Sequence, residues 1–124
     1  MSNFVIWVDR ENAKLLQFSN EKMERKHLQA RHADHHTHQT TGLDHQQQEK
    51  AFFTQLTEHL VDASRILILG PGVAKHHFQT YLIEHFPALA KKVVGCETVD
   101  HPTDSEIAAL ARKFFNMTAQ AASK

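Results

Sequence analysis

Two short apolar runs predict the buried strands of a sheet. Residues 4–8 read Phe-Val-Ile-Trp-Val, and residues 66–69 read Ile-Leu-Ile-Leu, followed directly by Gly-Pro-Gly. Continuous apolar runs of this length, rich in β-branched residues, are typical of strands buried on both faces. Residues 92–98 contain two adjacent valines and predict a further strand. The long crossover that leads to it favours parallel pairing with the strand at 66–69.

Two other segments have the pattern of strands nearer an edge. Residues 13–18 follow the turn-forming Asp9 and alternate apolar with polar side chains, which predicts the return strand of a hairpin. Residues 23–28 are apolar only at their ends, and the charges between them predict an exposed edge strand. The three N-terminal strands are therefore expected to form an antiparallel meander.

Helical periodicity follows at three places. One helix is predicted from Glu49 and a second after Gly72, each with apolar residues on one face. A third starts at a capping box, residues 103–106, and continues as an apolar stripe made of Ile107, Leu110, Ala111, Phe114 and Phe115. Residues 118–124 offer nothing to bury and are predicted to be a flexible tail. The predicted fold is α/β: one domain over residues 1–117, with a three-strand antiparallel meander, two parallel strands and three helices.

The charges of the chain balance, with 14 Lys and Arg against 14 Asp and Glu. A neutral chain has no overall field to draw it to nucleic acid or to an anionic membrane, so any RNA contact has to be local. The single cysteine, Cys96, allows no internal disulfide and fits a reducing compartment. Apolar runs stay far below the roughly 18 residues of a membrane span, and we expect a cytoplasmic protein without a membrane partner.

The segment 31–48 differs in composition from the rest of the chain. It lacks helical or alternating periodicity, which predicts a His-rich loop that is either functional or without fixed structure. Imidazoles bind Zn²⁺ and similar ions, so one hypothesis is a metal site formed by His32, His35, His36, His38 and His45. A second hypothesis is RNA contact through Arg31, His32, His35, His36 and His38, with Lys26 at the root of the loop. A solvated loop with no defined ligand is the third.

The turn Gly70-Pro71-Gly72 precedes Lys75 in the first turn of a predicted helix. Free backbone N–H groups at a helix start, together with a lysine, are suited to phosphate, which makes Lys75 a further candidate for RNA binding. The Ser or Thr that follows the lysine of a nucleotide-binding P-loop is missing. A purely geometric need for glycine at this turn is the competing interpretation.

The predicted order of elements resembles the ribonuclease H-like topology. Three stretches, at residues 8–14, 70–78 and 100–104, resemble its translational branch, which comprises the central domain of archaeal and eukaryotic class-one release factors and of Pelota. Small stand-alone bacterial proteins of that superfamily, called translational machinery proteins, look similar over nearly the whole chain, including the His-rich loop. The resemblance implies a ribosome or a tRNA as partner.

Release factors carry Gly-Gly-Gln in the loop after the third strand, and its glutamine positions the water that hydrolyses peptidyl-tRNA. The corresponding loop here contains only Gly42, so this hydrolysis is not expected. Pelota-like proteins also lack the tripeptide and act in ribosome rescue. The resemblance therefore implies a non-enzymatic role in rescue, hibernation or a related step, without a cofactor, and a metal-binding role of the histidines is the alternative.

The same topology raises the question of nuclease chemistry, which needs several carboxylates around two Mg²⁺ ions. Asp9 and Glu58 are candidates for two of the ligands. The strand at 66–69, however, runs into Gly70 without a carboxylate, and the last helix offers only Asp104 and Glu106 near its start. Such a metal pair has too few ligands, and Asp9 is expected to form a turn instead.

Overall fold

The computed structural model describes residues 2–19, 22–29 and 42–123, which form five strands and four helices. The apolar runs of the sequence lie in the strands, and the periodic segments lie in the helices. In chain order the elements are β1 (Ser2–Val8), β2 (Asn12–Ser19), β3 (Lys22–Gln29), α1 (Gly42–Glu58), β4 (Ala63–Gly70), α2 (Ala74–His85), α3 (Pro87–Ala90), β5 (Val93–Thr98) and α4 (Asp104–Ser123).

The strands form one mixed sheet in the order β3-β2-β1-β4-β5. β1 pairs antiparallel with β2, and β2 pairs antiparallel with β3, which confirms the predicted meander. β4 pairs parallel with both β1 and β5. The two fully apolar runs, in β1 and β4, therefore lie in two of the three inner strands, as expected for strands that are covered on both faces.

The alternation of side chains along β1 and β4 supplies two separate cores. Phe4, Ile6, Ile66 and Ile68 face α1 and α2 and pack against residues such as Phe78. Their neighbours on the other face, Val5, Trp7, Leu67 and Leu69, pack against Ile107, Ala111 and Phe115 of α4. The predicted stripe on the last helix is thus confirmed, and it covers β1 and β4 from one side.

The structure differs from the sequence prediction at three helical segments. α1 begins at Gly42 and not at Glu49, so residues 42–48 of the predicted loop are helical, while residues 31–41 lie outside the described residues. Residues 46–48 are three glutamines, which are good helix formers but give no apolar stripe to detect. α3 is a fourth, short helix with Pro87 in its first turn. α4 continues through residues 118–123, where the sequence analysis predicts a tail, over an alanine-rich stretch that favours helix.

The carboxyl ends of four strands lie together at one end of the sheet, where the candidate site is located. β1, β3, β4 and β5 all run in the same direction, so their carboxyl ends lie together. The 9–11 turn, the turn after Gly70 and the end of β3 at Gln29 therefore lie at the same end of the sheet. Among the helices of the described residues, none is long and apolar enough to cross a membrane.

Candidate nucleic-acid interface

The carboxyl ends of β1 and β4 border a cavity of about 500 Å³, lined by Asp9, Arg10, Glu11, Pro71, Gly72, Val73 and Ala74. Gly70 brings the two strand ends together, because a Cβ added there would lie 2.4 Å from the backbone oxygen of Val8. Gly72, in contrast, has open space around it. The close approach of two backbones thus explains the first glycine of the turn but not the second.

Asp9 uses its carboxylate to close the β1–β2 turn. Its Oδ1 accepts hydrogen bonds from the backbone N–H groups of Glu11 at 2.9 Å and Asn12 at 2.6 Å. Its own N–H donates to the Asn12 carbonyl at 2.9 Å, which completes the turn. The predicted role of Asp9 as a turn former is confirmed, and this carboxylate oxygen already has two donors.

The acidic residues at the start of α4 are engaged as well. Glu106 accepts from the Thr103 N–H at 2.8 Å and donates its own N–H to Thr103 Oγ1 at 3.1 Å, which is the predicted capping box. Asp104 forms an ion pair with Arg25 of β3. Within residues 2–19, 22–29 and 42–123 the structure brings together no group of three His, Cys, Asp or Glu side chains suited to a metal ion.

Lys75 lies inside the protein, with 3% of its surface exposed. Its Nζ donates to the carbonyl oxygen of Gly72 at 2.6 Å, across the turn that precedes α2. In this position the ammonium group stabilises the turn and does not point to solvent. The burial of Lys75 favours the geometric interpretation of the Gly-Pro-Gly turn over a phosphate seat.

Lys75 also lies near Cys96, a half-buried residue of β5. Burial raises the pKa of the Cys96 thiol, the charge of Lys75 opposes that rise, and the nearby Glu97 adds to it. His76 Nδ1 is 4.0 Å from Cys96 Sγ. The raised pKa keeps the thiol protonated at neutral pH, so Cys96 is a poor nucleophile and a poor metal ligand.

The candidate residues of the His-rich segment are only partly described. Arg31, His32, His35, His36 and His38 lie outside the described residues. His45 lies in α1, of which the structure describes only the backbone at that position. Lys26 is exposed on β3, and its Nζ is 3.5 Å from His59 Nδ1 near the end of α1. The metal-site and RNA-contact hypotheses for segment 31–48 therefore stay predictions.

The structure adds a basic surface that the sequence analysis did not identify. Lys14 pairs directly with His27 across β2 and β3, and Arg25 pairs with Leu16 in the next position on the same face. Leu16 belongs to the core that packs against α4, so Lys14, Arg25 and His27 lie on the same face of the sheet as α4. We call the surface formed by Lys14, Arg25 and His27 the open basic face; beside it is a groove of about 260 Å³, to which Lys26 and Asp104 also contribute.

Comparison with known proteins identifies the fold. The sequence matches no protein-family model. Over 59 residues, 43% of this chain and 16% of the relative, it is 35% identical to the Pelota homologue of Thermococcus gammatolerans. Pelota of Archaeoglobus fulgidus matches 90% of this chain with a TM-score of 0.62 at 17% identity, over 31% of its own length. The archaeal translation termination factor aRF1 matches 90% of this chain with a TM-score of 0.66 at 18% identity, over 34% of its own length.

The chain has the fold of a domain of Pelota and aRF1. The predicted α/β class and the resemblance to the release-factor and Pelota domain are thus confirmed. The Pelota/aRF1-type domain spans about a third of the length of the solved structures that it matches. In this Pelota/aRF1-type domain, His27 of the open basic face is two residues before Gln29, the last residue of β3.

Proposed function

We propose that this chain binds the ribosome or tRNA during translation, in rescue, hibernation or a related step in the cytoplasm. The observation that carries the proposal is the fold, which it shares with Pelota and with a translation termination factor. The 35% identity to a Pelota homologue over 59 residues supports the same assignment from the sequence.

The proposal excludes peptidyl-tRNA hydrolysis by the mechanism of release factors. That mechanism needs two adjacent glycines before the glutamine. The four glycines of this chain, Gly42, Gly70, Gly72 and Gly95, are all separated from one another. Gly42 is part of α1, and Gly95 lies in β5, where an added Cβ would be only 2.9 Å from the Phe114 ring of α4. The chain is therefore proposed as a binding protein and not as a hydrolase.

Segment 31–41 is proposed as one contacting element. It contains Arg31 and the histidines His32, His35, His36 and His38, and imidazole and guanidinium groups both stack on bases and bind phosphate. The chain enters the segment from β3, whose exposed face already carries Arg25 and His27. Cations on the strand and in the segment would thus contact the same nucleic acid.

Sedimentation with ribosomes tests the proposal. The untagged protein is run through a sucrose gradient with ribosomes from its own cells, beside a variant in which a Gly-Ser linker replaces residues 31–41. We expect the wild type in the ribosomal fractions and less of the variant there. Circular dichroism of the variant controls for its fold. Wild-type protein that stays at the top of the gradient would contradict ribosome binding.

A chelator selective for transition metals, which leaves ribosomal Mg²⁺ in place, separates the two roles of the histidines. If they contact RNA directly, the distribution in the gradient does not change. If the chelator releases the protein, the histidines act through a bound metal ion, and direct contact by imidazole is wrong.

A further inference from the structure

We propose that the open basic face, formed by Lys14, Arg25 and His27, binds the phosphates of single-stranded RNA. The inference rests on the proposed function and names the surface and the ligand chemistry, which neither the fold nor the relatives assign. It also assigns phosphate binding to Lys14, Arg25 and His27, which solvent can reach, and not to Lys75, which is buried.

Two of the basic side chains follow each other along β3, and the third lies beside one of them on β2. His27 and Arg25 are two positions apart on β3, about 6.8 Å along the strand, and Lys14 lies directly opposite His27 on β2. This spacing is similar to that of consecutive phosphates along a nucleic acid strand. A rigid pair of hydrogen-bonded strands holds the charges in place, which lowers the entropy cost of binding.

The face is open because α4 leaves the side chains of residues 23–27 on β3 exposed. α4 packs on β1 and β4, contacts β2 at Leu16 and Phe18, and reaches β5, where Phe114 lies against Gly95. Arg25 and His27 are exposed, with 60% of the Arg25 side chain accessible, and α4 reaches Arg25 through its first residue, Asp104. The groove beside this face contains one described carboxylate, that of Asp104, which pairs with Arg25. A guanidinium has five N–H donors, so Arg25 can hold this carboxylate and a phosphate at once.

The polar groups around the cations favour RNA over an acidic protein. Asn12 Oδ1 is 3.2 Å from His27 Nε2 and accepts from Gln29 Nε2 at 3.3 Å, so amide and imidazole groups extend the face. His101, 71% exposed in its side chain, packs against the Trp7 ring in a T-shaped arrangement, with the Asp100 carboxylate 3.9 Å from its Nδ1, and its ring is the surface on which a base would stack. Protein interfaces depend on large apolar anchors, whereas Leu16 and Trp7 are already buried here.

Fluorescence anisotropy with a labelled single-stranded RNA, measured over a range of salt concentrations, tests the inference. The double variant Lys14→Gln with Arg25→Gln removes two cations of the open basic face. The matched control, Lys91→Gln with Lys113→Gln, removes two exposed cations elsewhere. Urea unfolding of both variants shows whether the fold is kept, as expected for surface substitutions.

We expect the double variant to bind the RNA several-fold more weakly. The negative slope of log K against log salt should become shallower by about 1.4, because each lost phosphate contact removes about 0.7 from its magnitude. The control keeps the wild-type slope. Equal binding by both variants would overturn the inference. So would competition by poly-glutamate as strong as that by unlabelled RNA, since the face would then be a general site for acidic polymers.

The outcomes for the face and for ribosome binding can be told apart. If the double variant loses RNA but the wild type does not sediment with ribosomes, the face is correct and the proposed function is wrong. If the wild type sediments with ribosomes but binds no free RNA at physiological salt, the inference is wrong and the ribosome is contacted in another way.

Discussion

Gly70 lies where the end of β4 closely approaches the end of β1. A methyl group there would lie 2.4 Å from the Val8 carbonyl oxygen, a backbone atom that cannot move without disturbing β1. Gly72, two residues later in the same turn, has nothing within 4 Å of the same added atom. The two glycines therefore form a matched pair for substitution.

We predict that Gly70→Ala lowers the free energy of unfolding by about 1–3 kcal/mol, the usual cost of overpacking. Gly72→Ala is expected to change it by no more than about 0.5 kcal/mol. Urea unfolding followed by circular dichroism measures both. Equal effects of the two substitutions would show that the close approach at Gly70 is not what the turn requires.

Single residues also show where sequence reasoning reached its limit. The turn role of Asp9 could be predicted, because an aspartate after a buried strand commonly bonds to its own backbone. The burial of Lys75 could not, since its position in the first turn of a helix is compatible with solvent or with the core. Only the three-dimensional path of the turn places its Nζ on the Gly72 carbonyl.

Among the elements, α4 has the clearest start signal in the chain. Thr103 and Glu106 exchange two hydrogen bonds, and Pro102 before them is buried. This capping box provides hydrogen-bond acceptors for backbone N–H groups that have no partner within the helix. α4 is also the only described element that packs on the second face of the sheet.

We predict that Thr103→Ala lowers the free energy of unfolding by about 1 kcal/mol, the typical cost of losing a helix cap. Ser105→Ala, an exposed position of the same turn, is the control and is expected to have little effect. The difference in the urea midpoints of the two variants gives the result. A Thr103 variant as stable as the control would mean that the cap contributes nothing measurable to the fold.

The elements that the sequence predicted well are those with a continuous apolar run or a clear apolar stripe. The strands β1 and β4 and the stripe from Ile107 to Phe115 needed only their own residues to be identified. The first turns of α1 were missed because Gln46, Gln47 and Gln48 form a helix without an apolar face. Hydrophobic periodicity needs apolar side chains at helical spacing, and a run of three glutamines has none.

At the scale of the whole molecule, the fold followed from the order of the elements, whereas the open basic face did not. Lys14 lies on β2 and Arg25 and His27 lie on β3, and the chain as a whole is neutral. They share a surface only through the register of β2 and β3 and through the limited width that α4 covers. Register and coverage are properties of the assembled sheet, so local sequence patterns did not show them.

The central claim is that the chain contacts RNA of the translation machinery, and ultraviolet crosslinking in living cells tests it most directly. The protein is crosslinked at its natural level, purified under denaturing conditions, and the attached RNA is sequenced. A strain that carries the Lys14→Gln and Arg25→Gln variant at the same protein level provides the comparison.

We predict that ribosomal RNA or tRNA dominates the RNA recovered with the wild type and decreases with the variant. RNA that mirrors the total RNA of the cell, recovered equally with both proteins, would contradict the account.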